Sequence, residues 1–100
     1  MANEDRPRSY VPGGTPPNWQ LLPDHTAQSL RLYIEKGARP SSFLEAVLKD
    51  DLQRSIATAD RSNAAKLIEI VGFLQEYAPQ GCWGSAENFK AWIDRGGLDG

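Results

Sequence analysis

The sequence predicts an all-α single domain, a compact body of four to five helices preceded by a disordered N-terminal arm. Three observations carry that expectation. Apolar residues recur at three- and four-residue spacing in at least four segments, helix-stopping residues separate those segments, and no segment sustains the period-two alternation of a half-buried strand. One hundred residues at 11.0 kDa leave room for one core. Hydrophobic residues at 40% and charged residues at 24% are the proportions of an ordinary globular chain.

Residues 1–17 hold four of the seven prolines and the Gly13-Gly14 pair, with no apolar periodicity. Nothing there offsets the ~1–2 kcal/mol per residue that ordering a backbone costs, so this stretch reads as a flexible arm and residues 18–100 as the helical domain. Trp19, Leu21 and Leu22 are too apolar to stay in water and are expected to fold back as a strap.

The first helix is predicted over Asp24–Lys36, where Pro23 and Asp24 suit a helix start. Ala27, Leu30, Tyr33 and Ile34 form its stripe, Gly37 supplies a left-handed stop and Pro40 forbids continuation. Ser42 and Glu45 have capping-box spacing. Phe43, Leu44, Val47, Leu48, Leu52 and Ile56 then keep helical spacing to about Ala59. Lys49-Asp50-Asp51 interrupts that face and Asp50 with Gln53 offers a fresh cap, so two short helices are expected over one kinked one.

Asp60 or Ser62 opens the next helix and Pro79 closes it. Ala64, Leu67, Ile68, Val71, Leu74, Tyr77 and Ala78 line one face, widened by Ile70 and Phe73, as expected of a central helix. Gly72 in its interior implies a closely packed neighbouring backbone. Gln80–Gly84 is a turn, and Ser85 caps a last helix to about Asp94 that buries Phe89, Trp92 and Ile93 before Gly96-Gly97 ends it.

The residues able to do chemistry are few. A formal charge of −2 gives no basic excess for a phosphate backbone. One cysteine excludes a disulfide framework, and one cysteine with one histidine cannot build a structural zinc site. The longest apolar run, about Ile70–Leu74, is far short of the ~20 residues of a membrane span, and the first residues carry no signal-peptide core. A cytoplasmic location is therefore expected.

Cys82 and His25, with Asp24 beside it, are the only thiol and imidazole, and nothing in the spacing brings them together. They read as a buried cysteine and a surface histidine. Asp50-Asp51 and the Glu69/Glu76 pair read as solvated carboxylates rather than an acid–base pair, because no apolar setting surrounds them. The chain is accordingly read as non-enzymatic, with neither cofactor nor metal.

Gly81-Cys82-Trp83-Gly84-Ser85 is the most distinctive local feature. It joins two glycines, an aromatic plate and a helix start, so it can be an anion or nucleotide pocket or a turn whose Trp83 plugs the core; the plug is expected. Asp51–Glu69 has the outline of a helix-turn-helix, but Arg61, Asn63 and Lys66 are its only readers and Glu69 opposes them. Phe43, Tyr77, Phe89 and Trp92 have core spacing, and Arg31, Lys36 and Arg39 read as a solvated face. Tyr10 and Trp19, in or next to the arm, are the expected partner-contact residues.

The stretch Leu30–Gly37, then Pro40, Ser42–Leu48, Asp51-Leu52, Ala59-Asp60, Asn63, Phe73-Leu74, Ala78-Pro79, Gly81–Ser85 and Trp92-Ile93 resembles a family of small proteins encoded by phages and prophages of bacteria. The resemblance covers about seventy residues, leaves the arm unmatched, and is most specific at Ala78–Ser85. It implies a helical fold and an accessory role, such as binding a host enzyme or blocking a defence complex. The leading expectation is a protein-interaction module. A nucleotide or small-molecule binder using Gly81–Ser85 is the alternative, and a weak DNA-binding regulator the third.

Overall fold

The computed structural model describes Ser9, Tyr10 and residues 14–100; most of the arm expected over 1–17 lies outside the described residues. Among the described residues, six helices follow a 3-10 turn at Trp19–Leu21: α1 Asp24–Lys36, α2 Ser42–Leu48, α3 Leu52–Thr58, α4 Arg61–Ala65, α5 Leu67–Tyr77 and α6 Ala86–Arg95. No strand occurs among the described residues, so the chain is all-α.

Local chemistry sets most boundaries where the sequence places them. Gly37 ends α1 in the left-handed region (φ 71°), and its amide donates back to the Tyr33 carbonyl at 2.9 Å. The break between α2 and α3 is real, but its caps sit one residue away from the expected ones. Ser41, not Ser42, accepts from the Leu44 amide, and Asp51, not Asp50, accepts from the Arg54 amide. Asp50 instead turns the chain at φ 63°, the only non-glycine in the left-handed region among the described residues. Its short side chain makes that conformation affordable. The helix expected over about 60–78 is divided at Lys66 (φ −112°, ψ 12°), giving a five-residue α4 capped by Asp60 and then α5.

The core gathers α1, α2, α5 and α6. Leu30, Tyr33 and Ile34 from α1 meet Leu44 and Leu48 from α2, Ile70, Phe73 and Leu74 from α5, and Phe89 and Trp92 from α6. The expected strap forms through Trp19 and Leu22, while Leu21, expected to join it, points out and is 41% exposed. Leu22 is buried, and the Trp19 ring lies 4.8 Å from that of Phe73, closing the gap between α1 and α5. One buried polar contact joins α1 to α4, between Thr26 and Asn63.

The most crowded junction is at the end of α1. The Trp92 indole N–H is shared between the Tyr33 and Ile34 carbonyls, 3.1 Å from each. The Leu98 and Asp99 amides donate to Ile34 and Glu35, each at 2.9 Å, and Lys36 pairs with Asp99 at 3.0 Å. Carbonyls that a helix C-terminus leaves without partners are satisfied here by a distant piece of chain. The approach requires glycine on both sides: a Cβ on Gly97 would lie 2.5 Å from the Gly37 nitrogen, and one on Gly37 2.8 Å from Gly96.

Three expectations about side chains are overturned. Gly72 has no close neighbour; a Cβ there would meet nothing within 4 Å. Ile68 is 85% exposed, because the division at Lys66 places Leu67, Ile70 and Leu74 inward and turns Ile68 out. Leu52 and Ile56 are 65% and 61% exposed, because α3 starts in a new direction after the turn at Asp50.

The two glycines therefore predict opposite outcomes. Gly97→Ala, clashing with backbone at φ 75°, should destabilise the fold by more than about 2 kcal/mol in a denaturant titration. Gly72→Ala, in open helical space, should stabilise it by ~0.5–1 kcal/mol in the same measurement.

Candidate functional site

The Gly81–Ser85 turn is built from inside the fold. The Cys82 amide donates to the Pro79 carbonyl at 3.3 Å, and the Gly84 amide donates to Leu48 at the end of α2 at 2.8 Å. The Tyr33 hydroxyl donates to the Cys82 carbonyl at 2.6 Å, and the Asn88 side-chain amide donates to the Trp83 carbonyl at 3.0 Å. Ser85 caps α6 by accepting from the Asn88 amide at 3.0 Å. Gly81 and Gly84 adopt φ 87° and 108°, which the tight path requires. Two amides that an anion nest would need are thus committed to carbonyls of the chain itself.

Cys82 is fully buried, and burial pushes its thiol up to about 12. His25 is exposed on the first turn of α1 and pairs with Asp60 at 3.4 Å, so the imidazole and the thiol serve different parts of the molecule. Among the described residues, no three His, Cys, Asp or Glu side chains converge as ligands for a metal ion. Glu69 and Glu76 lie on the exposed side of α5.

Trp83 packs against the core as the plug reading expects, but it is only half-buried and makes no ring contact with Tyr77, Phe89 or Trp92. It stands between two openings beside α5. One is lined by Leu52, Leu67 and Val71 and bordered by Asp50 and Asp51; the other is bounded by Leu74, Gln75 and Ala78. Of the exposed apolar residues, Leu52 lines the first opening; Ile56 lies one turn further along α3 and Ile68 follows Leu67 on α5. Leu52, Leu67, Val71 and Trp83 make that opening a short apolar strip. Periodicity alone could not reveal it, since the same spacing assigns Leu52, Ile56 and Ile68 to the core.

Tyr10 and Trp19 do not form the expected partner surface. Tyr10 is 7% exposed, its hydroxyl donates to the Glu35 carboxylate at 2.6 Å, and its ring meets Trp19 edge-on at 6.1 Å. Trp19 in turn packs on Phe73, so Tyr10 and Trp19 are both part of the core packing. Of the residues in the helix-turn-helix outline, Asn63 is buried against Thr26 while Arg61 and Lys66 are exposed, so the three do not share one outer face.

A second cluster, not anticipated from sequence, joins Arg39, Glu45 and Lys49 beside α6. One Glu45 oxygen accepts from Lys49 at 2.7 Å and from Arg39 at 3.2 Å. The Lys49 hydrogen bond holds the Glu45 carboxyl below its usual range against the opposing effect of burial, with the Lys49 and Arg39 charges adding to the lowering. Lys49 and Arg39 lie 5.2 and 5.8 Å from the centre of the Phe89 ring. The i,i+4 spacing of Glu45 and Lys49 was the available signal; Arg39 and Phe89 come from other segments.

Two measurements check these assignments. Iodoacetamide at about pH 8 should leave Cys82 unmodified in the native protein and label it once denaturant unfolds the chain, given the buried, protonated thiol. Because folding lowers the Glu45 pKa, its stabilisation is fully present above the ordinary value of 4.5 and fades as pH falls through the folded value. Glu45→Gln should therefore cost about 1 kcal/mol or less near pH 7, and the gap from the parent should shrink near pH 3 in urea melts.

No protein family, curated protein or solved structure matches the chain.

Proposed function

We propose that the protein is a non-enzymatic protein-interaction module whose docking face is the apolar strip around Trp83. The observation that carries this reading is the apolar opening of Leu52, Leu67, Val71 and Trp83, with Leu52 exposed in its lining and Ile56 and Ile68 exposed on the same two helices. Isolated exposed aliphatic residues are ordinary, but large ones grouped around an aromatic anchor are the pattern of a protein-binding surface. Covering each on association contributes on the order of 1–2 kcal/mol before ordering costs are subtracted.

Asp50 qualifies the partner further. It is exposed at the edge of the strip and forms no ion pair among the described residues. The complementary surface is an apolar helix face with a basic side chain at its border. A host enzyme or defence complex, the partner expected of a phage- or prophage-encoded accessory protein, is the class we propose to search. The nucleotide-binding alternative draws less support, since the Cys82 and Gly84 amides are engaged inside the fold.

The test compares immobilised parent, Leu52→Glu and Ile68→Glu proteins in bacterial lysate, with Glu76→Gln as a control at the far end of α5. The expected result is a stoichiometric protein partner retained by the parent and the control. Both charge-introducing variants should lose it by more than about tenfold at unchanged helicity. A partner held equally by all four proteins would place the docking face elsewhere.

A further inference from the structure

We propose that the cleft between Arg39, the C-terminal end of α2 and the outer face of α6 is a binding site for a small organic carboxylate with an apolar body. It shares no lining residue with the strip around Trp83 and does not depend on that reading.

The cleft has a volume of about 350 Å³, at the small end of the ligand-site range. Its lining divides by chemistry. Ala86, Phe89 and Ile93 follow one face of α6 and make an apolar wall, while Arg39, Lys49 and Lys90 bring three cations to its rim. Asp94 is the single acid in the lining and is taken by Lys90 at 2.9 Å. Arg39 and Lys49 share one carboxylate, Glu45, through the same oxygen. Glu45 itself borders a neighbouring cleft with Ser42, Asp51 and Arg54. Counting both acids, one positive charge stays uncompensated in a protein whose formal net charge is −2.

The two shared cations are also held in place. Both stand near the Phe89 ring, which is stacked on Tyr33 at 5.4 Å and buried, so charge and apolar wall meet at a fixed spot. Arg39 meets Glu45 through Nη2 alone, leaving the rest of its fork for a second oxygen pair. α6 begins at Ala86 in the same lining, so the positive end of its dipole adds to the attraction. Glu87 in that first turn works against a doubly charged ligand. A bare inorganic anion would leave the apolar wall in water, and a neutral apolar molecule would leave the surplus charge unanswered. A monoanionic carboxylate carrying an aromatic or branched aliphatic group satisfies both.

The experiment titrates isotope-labelled full-length protein with phenylacetate, benzyl alcohol and inorganic phosphate, reading backbone amide shifts. Phenylacetate should give saturable shifts at Phe89, Lys90 and Ile93 with a roughly millimolar dissociation constant, and the other two probes should bind about tenfold more weakly or worse. Arg39→Gln, at a mostly exposed side chain, should weaken phenylacetate about tenfold, whereas Glu45→Gln, which releases both cations, should tighten it. Absence of saturable shifts, equal binding of phosphate or benzyl alcohol, or an unchanged constant in Arg39→Gln would each overturn the proposal. Should Arg39→Gln lose its folded spectrum, the three-probe comparison on the parent decides alone.

Discussion

Tyr33 is the constraint on which the rest of the structure depends. Its ring is fully buried and stacked on Phe89, its hydroxyl holds the Cys82 carbonyl, and its own carbonyl accepts from Trp92. One residue of α1 thereby fixes the turn after α5 and the position of α6. Burial also pushes its phenol above the ordinary value, so the neutral donor form is the one the core holds. A phenylalanine would fill the same space and leave a buried carbonyl unpaired, which is the costlier kind of loss. The packing around Tyr33 and the path of the Gly81–Ser85 turn are consequences of a single hydrogen-bonded ring.

Much of the fold was legible because its signals are local. Helix bounds at Asp24–Lys36 and the Ser85 cap follow from cap residues and a stripe within one segment, and the interruption at Lys49–Asp51 follows from charge breaking that stripe. The division at Lys66 was not legible. Ala64 through Val71 keeps helical spacing across it, and the short helix before the break carries Asn63, which bonds to Thr26 on another helix, a contact that spacing does not reveal. Spacing identifies which residues share a face, but it does not say whether anything stands opposite that face. Leu52, Ile56 and Ile68 therefore read as core, and Tyr10, with almost no periodic context, read as surface.

The two candidate surfaces differ in kind. The strip around Trp83 is apolar because short helices change direction at Asp50 and Lys66, exposing residues that a straight helix would have covered. The cationic cleft is a product of assembly: Arg39 lies in a loop, Lys49 ends α2, and Phe89 and Lys90 belong to α6. No stretch of sequence holds these groups together, so a search for clustered charges finds only the Arg31, Lys36 and Arg39 grouping. In the structure those three separate, toward Glu35, Asp99 and Glu45 respectively.

The closure of α1 by the last residues bears on how the protein comes to be folded. The Trp92 indole reaches back 59 and 58 residues to Tyr33 and Ile34, and Leu98 and Asp99 complete the same helix end. During vectorial synthesis α1 emerges before α6, yet its terminal carbonyls and its buried stripe wait for α6 and the segment behind it. A helix of this length is marginal by itself in water. Long-range closure therefore favours a single concerted collapse of the finished domain over stepwise assembly from the N-terminus.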